Sequence, residues 1–133
     1  MNILMRNFCL GMFVSLLACW GTAFSAPIEC KGPPGSTRLE ACYINKDYIE
    51  KDKELNEAYQ SLKSKLEGWD DPEIIEQLIK TQRVWIKFRD ENCELSQMIN
   101  GGLSSISFLR CRSELTRVRL MELKNSLNYY DMQ

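Results

Sequence analysis

The chain has 133 residues, a length that favours a single domain, and its 44% hydrophobic and 26% charged residues are typical of a globular protein. With 17 basic and 18 acidic residues, the formal net charge of −1 provides no general attraction to nucleic acids or anionic membranes. There is no histidine, which excludes Ser-His-Asp and Cys-His catalysis and imidazole metal sites. The composition therefore favours a binding protein over an enzyme.

The first 25 residues have the pattern of a secretory signal peptide. Arg6 supplies a positive charge, residues 8–20 are almost wholly apolar, and Ala23-Phe24-Ser25 offers a cleavage site. We therefore expect residues 26–133 to form the folded domain of a periplasmic or secreted protein.

Two other interpretations of this segment remain open. The uncharged stretch 7–28 is long enough for an uncleaved membrane anchor, although its glycines, its serines and Pro27 disfavour one. The run Leu16-Leu17-Ala18-Cys19 resembles a bacterial lipobox, in which Cys19 would become a lipidated N-terminus. In that case the protein would be anchored to the envelope by lipid.

The cysteine pattern predicts covalent cross-links. The predicted domain contains four cysteines, Cys30, Cys42, Cys93 and Cys111, and in an exported chain they predict two disulfides with three possible pairings. Their spacing favours two local pairs, 30 with 42 and 93 with 111. A four-cysteine zinc site is the alternative, but the absence of a C-x-x-C pair disfavours it. No cofactor and no metal are expected.

The hydrophobic periodicity predicts helices and no strand. A first helix is expected from about Asn45, after the irregular segment 27–36, and Gly68 ends it. Asp71 and Pro72 begin a second helix, since they supply an N-cap and a proline in the first turn, and it is expected to end near Cys93.

The segment Asn100-Gly101-Gly102 breaks the chain again, and a third helix is expected from about Ser105. The expected core consists of apolar residues at helical spacing: Tyr48, Leu55, Tyr59, Leu62 and Leu66, then Ile75, Leu78, Trp85 and Phe88, then Phe108, Leu115, Leu120, Leu123 and Leu127. The predicted fold class is all-α, a small three- to four-helix bundle stapled by two disulfides.

Three charged residues interrupt the apolar faces of these helices. Asp52, Arg89 and Arg119 each lie four residues from an apolar residue of the same face. Because an isolated buried charge is costly, we expect Asp52 to pair with Arg89 or Arg119 in a network that holds the helices in register. Removing Asp52 would then cost about 3 kcal/mol. We favour this structural role over a functional site.

Three motifs occur in the order found in one known family. Residues 52–59, DKELNEAY, have the pattern D-x-x-LN-x-x-Y, and residues 82–93, QRVWIKFRDENC, have the pattern QR-x-W-x-x-(F/Y)RD-x-x-C. Gly101-Gly102 follows, and the segment 111–123 has the pattern C-x-x-x-LT-x-x-R-x-x-x-L. In these motifs the chain resembles the LprI-like lysozyme-inhibitor family.

The resemblance extends from about Cys30 to Leu123. It implies a helical domain of the bacterial envelope that binds and inhibits lysozyme or another peptidoglycan-degrading enzyme. Related small exported proteins act as immunity factors against secreted cell-wall amidases, which is the first alternative. A non-enzymatic structural or binding module of the envelope is the second. No nucleic-acid partner is expected, and a membrane is expected only with a lipid anchor at Cys19.

The first candidate binding loop is Trp69-Asp70-Asp71, between the first and second helices. An exposed tryptophan flanked by acidic residues suits a basic protein partner such as a lysozyme. The alternative is that Asp71 only caps the second helix while Trp69 packs against the core.

The second candidate is the loop closed by the predicted Cys93–Cys111 disulfide, with Asn100, Gly101 and Gly102 at its centre. A tethered loop of small polar residues could enter the cleft of a hydrolase with little loss of entropy. The alternative is a plain helix connection in which glycine supplies a positive φ.

Other polar patterns have simpler explanations. Arg110, Arg117 and Lys124 recur every seven residues and could contact anionic glycans or lipids, but a solvated helix face is favoured. Asp90 and Glu94 share one helix face, whereas glycosidase carboxylates lie on opposite sides of a cleft. We therefore expect no catalytic residues.

Overall fold

The computed structural model describes residues 28–101 and 104–131. The predicted signal peptide 1–25, with the lipobox cysteine Cys19, lies outside the described residues, as does Gly102 of the second candidate loop. Signal cleavage, lipidation and the domain bounds therefore stay predictions.

The described chain consists of three long helices: α1, Thr37–Glu67; α2, Pro72–Ile99; and α3, Ser104–Asp131. The short α1–α2 turn makes these two helices antiparallel. Helices α1 and α3 run parallel, because contacts between them advance together along both helices, from Glu40 with Arg110 to Glu54 with Lys124. The described residues contain no strand, so the all-α bundle stapled by two disulfides is confirmed, with three helices.

The α1 helix begins at Thr37, earlier than the expected start at Asn45. Ser36 explains the difference, because it is the N-cap and its Oγ accepts a hydrogen bond from the Leu39 backbone N at 3.3 Å. Hydrophobic periodicity did not reveal the first two turns because most of their residues are exposed or only half-buried.

Helix α2 begins where the sequence predicts but continues past Cys93 to Ile99. Asp71 Oδ1 accepts hydrogen bonds from the backbone N atoms of Glu73, at 3.0 Å, and Ile74, at 3.4 Å. No glycine or proline follows Cys93 until Gly101, so nothing in the chain ends the helix earlier.

The apolar core lies between α1 and α3 and is closed by α2. Its buried members are Leu55, Ala58, Leu62, Leu66, Leu120 and Leu123. Phe88, an expected core residue, is 53% exposed. The buried positions of α2 are instead Gln82, Arg89 and Cys93, and Phe88 points about 100° away from its neighbour Arg89 on the helix.

Two disulfides join Cys30 to Cys42 and Cys93 to Cys111, the pairing that the spacing favours. The first fastens the irregular N-terminal segment to the start of α1, and the second joins α2 to α3. Both pairs are oxidised, so these four sulfurs do not form the alternative zinc site. Within the described ranges, no helix is long and apolar enough to cross a membrane.

Replacing Cys93 and Cys111 by serine should lower the free energy of unfolding by about 3 kcal/mol through loop-closure entropy alone. A further loss is expected because Cys93 is fully buried, and serine would bring an unpaired hydroxyl into its place. Replacing Cys30 and Cys42 should cost less, because that disulfide closes a shorter loop, with a sequence separation of 12 residues instead of 18, and because Cys30 is only half-buried.

Urea unfolding of both double variants provides the measurement. The variant without the Cys93–Cys111 disulfide should have a lower urea midpoint than the variant without the Cys30–Cys42 disulfide. Equal midpoints would contradict a special contribution of the buried link between α2 and α3.

Candidate functional site

The first candidate loop meets the last turn of α3 at one end of the bundle. The Trp69 ring packs edge-to-face on Tyr130 with centroids 4.8 Å apart, and Tyr130 packs on Tyr129 at 5.5 Å. Trp69 nevertheless remains 47% exposed and Tyr129 is also exposed. We name the surface formed by Trp69, Asp70, Asp71, Tyr129 and Tyr130 the acidic–aromatic end.

Caps and backbone hydrogen bonds fix the conformation of this turn. Gly68 caps α1, and the backbone N of Trp69 donates to the Leu66 carbonyl at 3.0 Å. Asp70 then adopts a positive φ of 56°, a conformation that aspartate and asparagine tolerate better than most residues. Asp71 is the N-cap of α2, because its Oδ1 accepts hydrogen bonds from the backbone N atoms of Glu73 and Ile74.

The side chains of this turn remain open to a partner. Asp70 and Asp71 are exposed, and they line a shallow depression of about 140 Å³ with Glu67 and Ile75. Asp71 caps α2, as the alternative interpretation expects, and Trp69 packs on Tyr130 with one side while its other side faces solvent. Its role in binding stays a prediction.

The second candidate loop lies at the opposite end of the bundle. Asn100 caps α2 through its backbone N and its Nδ2, which both donate to the Ser96 carbonyl, and Gly101 has a φ of +49°. Because the 28 residues of α2 separate the two loops, the loops are about 42 Å apart. The structure therefore does not bring the two predicted binding loops into one surface.

A polar cluster connects all three helices near the middle of the bundle. Arg89 of α2 is only 5% exposed, and its Nη1 lies 3.2 Å from Asp52 Oδ1 of α1 and 3.4 Å from Thr116 Oγ1 of α3. Its Nε donates to Asp90 Oδ1 at 3.0 Å. Of the two partners expected for Asp52, the structure pairs it with Arg89.

Arg119 is not part of this contact. Its Nε donates to Gln82 Oε1 at 3.1 Å, and its Nη1 lies 2.9 Å from Glu122 on the same helix. The sequence did not show that Gln82 would be buried and offer an oxygen to α3. Its place in the QR-x-W motif was the available signal.

Aromatic rings surround the buried guanidinium groups. Arg89 lies over the rings of Trp85 and Tyr48, with 5.1 and 5.7 Å between its Cζ and the ring centroids. Arg112 lies 4.4 Å from the Tyr48 centroid, and its Nη2 donates to the Tyr48 hydroxyl. These cation–π contacts favour the charged form of arginine within the bundle.

The polar cluster also shifts two pKa values. Burial raises the pKa of the Tyr48 phenol, although the nearby Arg89 charge opposes that shift. Burial alone would lower the pKa of Arg89, but its hydrogen bond to Asp90 and the surrounding acidic groups raise it overall. Tyr48 therefore stays neutral and Arg89 stays charged at neutral pH.

The basic stripe on α3 is neutralised by neighbouring acids. Arg110 pairs with Glu40, and Lys124 pairs with Glu54 at 2.8 Å. Arg117 pairs with Glu114 on its own helix. In the part of the chain that the structure describes, no group of three or more cysteine and acidic side chains is arranged to hold a metal ion.

Arg89→Ala should lower the free energy of unfolding by about 3 kcal/mol, because the buried contacts to α1 and α3 are lost together. Asp52→Ala should cost only about 1 kcal/mol, less than the sequence suggested, because the Asp52 side chain is 36% exposed and Arg89 retains Asp90. Chemical denaturation of both variants measures the difference. Equal losses would show that Asp52 is the dominant partner.

Tyr48 should make the fold sensitive to alkali. Because its pKa is raised in the folded state, its contribution to stability is complete below its unfolded pKa of 10.0 and is lost as the pH rises further. Tyr48→Phe should therefore flatten the decline of unfolding free energy between about pH 9 and about pH 11. Tyr43→Phe, which removes an exposed hydroxyl from α1, is the control. The same decline in both variants would contradict the expected role.

Comparisons with known proteins agree with the motifs. Residues 30–123 match the family described as Lysozyme inhibitor LprI. An uncharacterized protein of Rhizobium meliloti (strain 1021) is 31% identical over 122 residues, which cover 82% of this chain and 87% of that protein. No solved structure matches the chain. The matched range contains the residues of both disulfides and of the Asp52–Arg89 contact. Because the match covers more than half of the chain, this chain belongs to the LprI family of lysozyme inhibitors.

Proposed function

We propose that this protein binds a peptidoglycan-degrading enzyme, specifically a lysozyme, and inhibits it with the acidic–aromatic end. Family membership supports the class of target. The observation that carries the choice of surface is Trp69, which is held on one side by Tyr130 and exposed on the other. The protein acts by binding and supplies no catalytic group. The target lies outside the cytoplasm, so the function requires the export that residues 1–25 predict.

The fixed position of Trp69 suits it as an anchor for a protein partner. A large aromatic side chain that is already ordered loses little conformational entropy when it binds. Residues of this type, placed at the centre of an interface, contribute much of the binding energy. The narrow end of a three-helix bundle would bring the indole to an enzyme cleft and block the path of the glycan.

The charges at this end favour a basic partner. Asp70 and Asp71 flank the indole, and Glu67 and Glu73 lie beside them on the last turn of α1 and the first turn of α2. Lysozymes of the strongly basic type would be attracted to this group of carboxylates. Such attraction mainly raises the association rate, and salt weakens it.

A turbidity assay on peptidoglycan should show stoichiometric inhibition of lysozyme by the purified protein with intact disulfides. Trp69→Ala should weaken inhibition by about 30-fold, which corresponds to loss of a hot-spot contact of about 2 kcal/mol. Asp70→Asn with Asp71→Asn should weaken it by about tenfold at low salt and less at high salt.

The asparagine substitutions separate charge from structure. Asparagine tolerates the positive φ at position 70 and caps a helix as well as aspartate does at position 71. Tyr43→Ala, an aromatic truncation near the start of α1, and the exposed pair Glu50→Gln with Glu57→Gln are matched controls that should inhibit normally.

Two results would contradict the proposal in different ways. If the protein inhibits no lysozyme type, the proposed target is wrong, and cell-wall amidases become the next enzymes to test. If lysozyme is inhibited but the Trp69 variant is fully active, the acidic–aromatic end is wrong. Loss of inhibition on substitution of Asn100 would then assign the site to the second loop.

A further inference from the structure

Helix α2 carries an apolar stripe that is largely exposed to solvent. Its members are Val84, Phe88, Leu95, Met98 and Ile99, which are 53% to 77% exposed. The first four are separated by four, seven and three residues, the spacing of a coiled-coil seam, and Ile99 lies beside them. We name these five residues the α2 stripe. It belongs neither to the core nor to the acidic–aromatic end.

Charged residues flank the α2 stripe in an ordered way. Lys80, Arg83 and Lys87 precede the midpoint of the stripe, whereas Glu91 and Glu94 follow it, and all five are exposed. Within residues 28–101 and 104–131 none of these five forms an ion pair, although the charged residues that line α3 are mostly paired. This side of α2 therefore changes from positive to negative along its length.

We propose that a second copy of this chain docks on the α2 stripe, with the two α2 helices antiparallel about a twofold axis near Glu91. In that arrangement Lys87 lies opposite Glu94 of the second copy, and the same pair forms again on the other side of the axis. Val84 lies opposite Met98 of the second copy, so apolar residues also meet. The surface is therefore complementary to itself in charge and hydrophobicity except at Glu91, whose two copies meet at the axis and oppose association.

The charges favour this antiparallel dimer over a parallel dimer and over the docking of a basic enzyme. In a parallel dimer Lys87 would face Asn92 of the second copy and Glu94 would face Ile99, so the opposite charges would not meet. A strongly basic enzyme would meet Lys80, Arg83 and Lys87 along half of the stripe. Because the acidic–aromatic end lies beyond the first turn of α2, it stays free in this dimer, and dimerisation does not depend on the proposed inhibition.

Sedimentation equilibrium of the purified, disulfide-intact protein should reveal a monomer–dimer equilibrium. Phe88→Glu should weaken the dimer at least about tenfold, because it places a desolvated charge within the seam. Tyr43→Glu is the matched control, since Tyr43 is 57% exposed but lies on α1, and it should dimerise normally. A wild-type protein that is monomeric at all concentrations, or a Phe88→Glu variant with unchanged dimerisation, would overturn the proposal.

A charge exchange tests the pairing. Lys87→Glu and Glu94→Lys should each weaken the dimer, and the double variant should recover it because opposite charges again face each other. A dimer that gains nothing from the second exchange would overturn the Lys87–Glu94 contact.

Cross-linking tests the direction and the register. Glu91→Cys, next to the axis, should form a disulfide between two copies, whereas Val84→Cys, also in the seam, should not, because the antiparallel arrangement separates the two copies of that position by about 20 Å. Cross-linking at both positions would indicate a parallel dimer and overturn the proposal. Neither variant alters the acidic–aromatic end, so lysozyme inhibition is measured separately.

Discussion

The buried guanidinium group of Arg89 is the constraint on which the arrangement of the three helices depends. A charge that is almost fully removed from water is stable only if nearby groups replace its hydration. Asp52 from α1, Asp90 from α2 and Thr116 from α3 each supply an oxygen within 3.4 Å. Because each partner is on a different helix, sliding one helix along another would break the set.

The remaining parts of the fold are arranged around this charge. On one side, leucines from α1 and α3 form the apolar core that continues toward the α1–α2 turn. On the other side, Cys93 lies one helical turn from Arg89, and its disulfide to Cys111 holds α2 against α3. The cation–π contacts of Arg89 and Arg112 with Tyr48 add a second link between α1 and the other helices.

The family motifs and the proposed binding site lie in different parts of the molecule. The motif residues that identify the family, Asp52, Trp85, Arg89 and Thr116 among them, lie within or beside the polar cluster. Trp69, Asp70 and Asp71 lie between the first two motifs on an exposed turn. A change at this turn would alter the surface without disturbing the buried charge. The proposed binding site is therefore separate from the buried charge that holds the helices in register.

The local features of the fold followed from the sequence because each depends on neighbouring residues. Gly68 ends α1, Asp71 and Pro72 begin α2, and the spacing of the cysteines matches the two disulfides. The all-α class followed from hydrophobic periodicity. The early start of α1 does not follow from periodicity, because its first turns are held by a cap and a disulfide rather than by a buried apolar face.

The tertiary structure alone decided which side of each helix is covered. In α2 the adjacent residues Phe88 and Arg89 both lie near the predicted apolar face, yet the arginine is buried and the phenylalanine is exposed. The sequence cannot distinguish these outcomes, because the choice depends on Asp52 and Thr116 arriving from two distant helices to compensate the charge. The same holds for Asp52, which could have paired with either arginine until the packing of α3 placed Arg119 beside Gln82. Local structure was therefore determined by residues close in sequence, whereas the partners of buried charges were determined by the packing of the whole bundle.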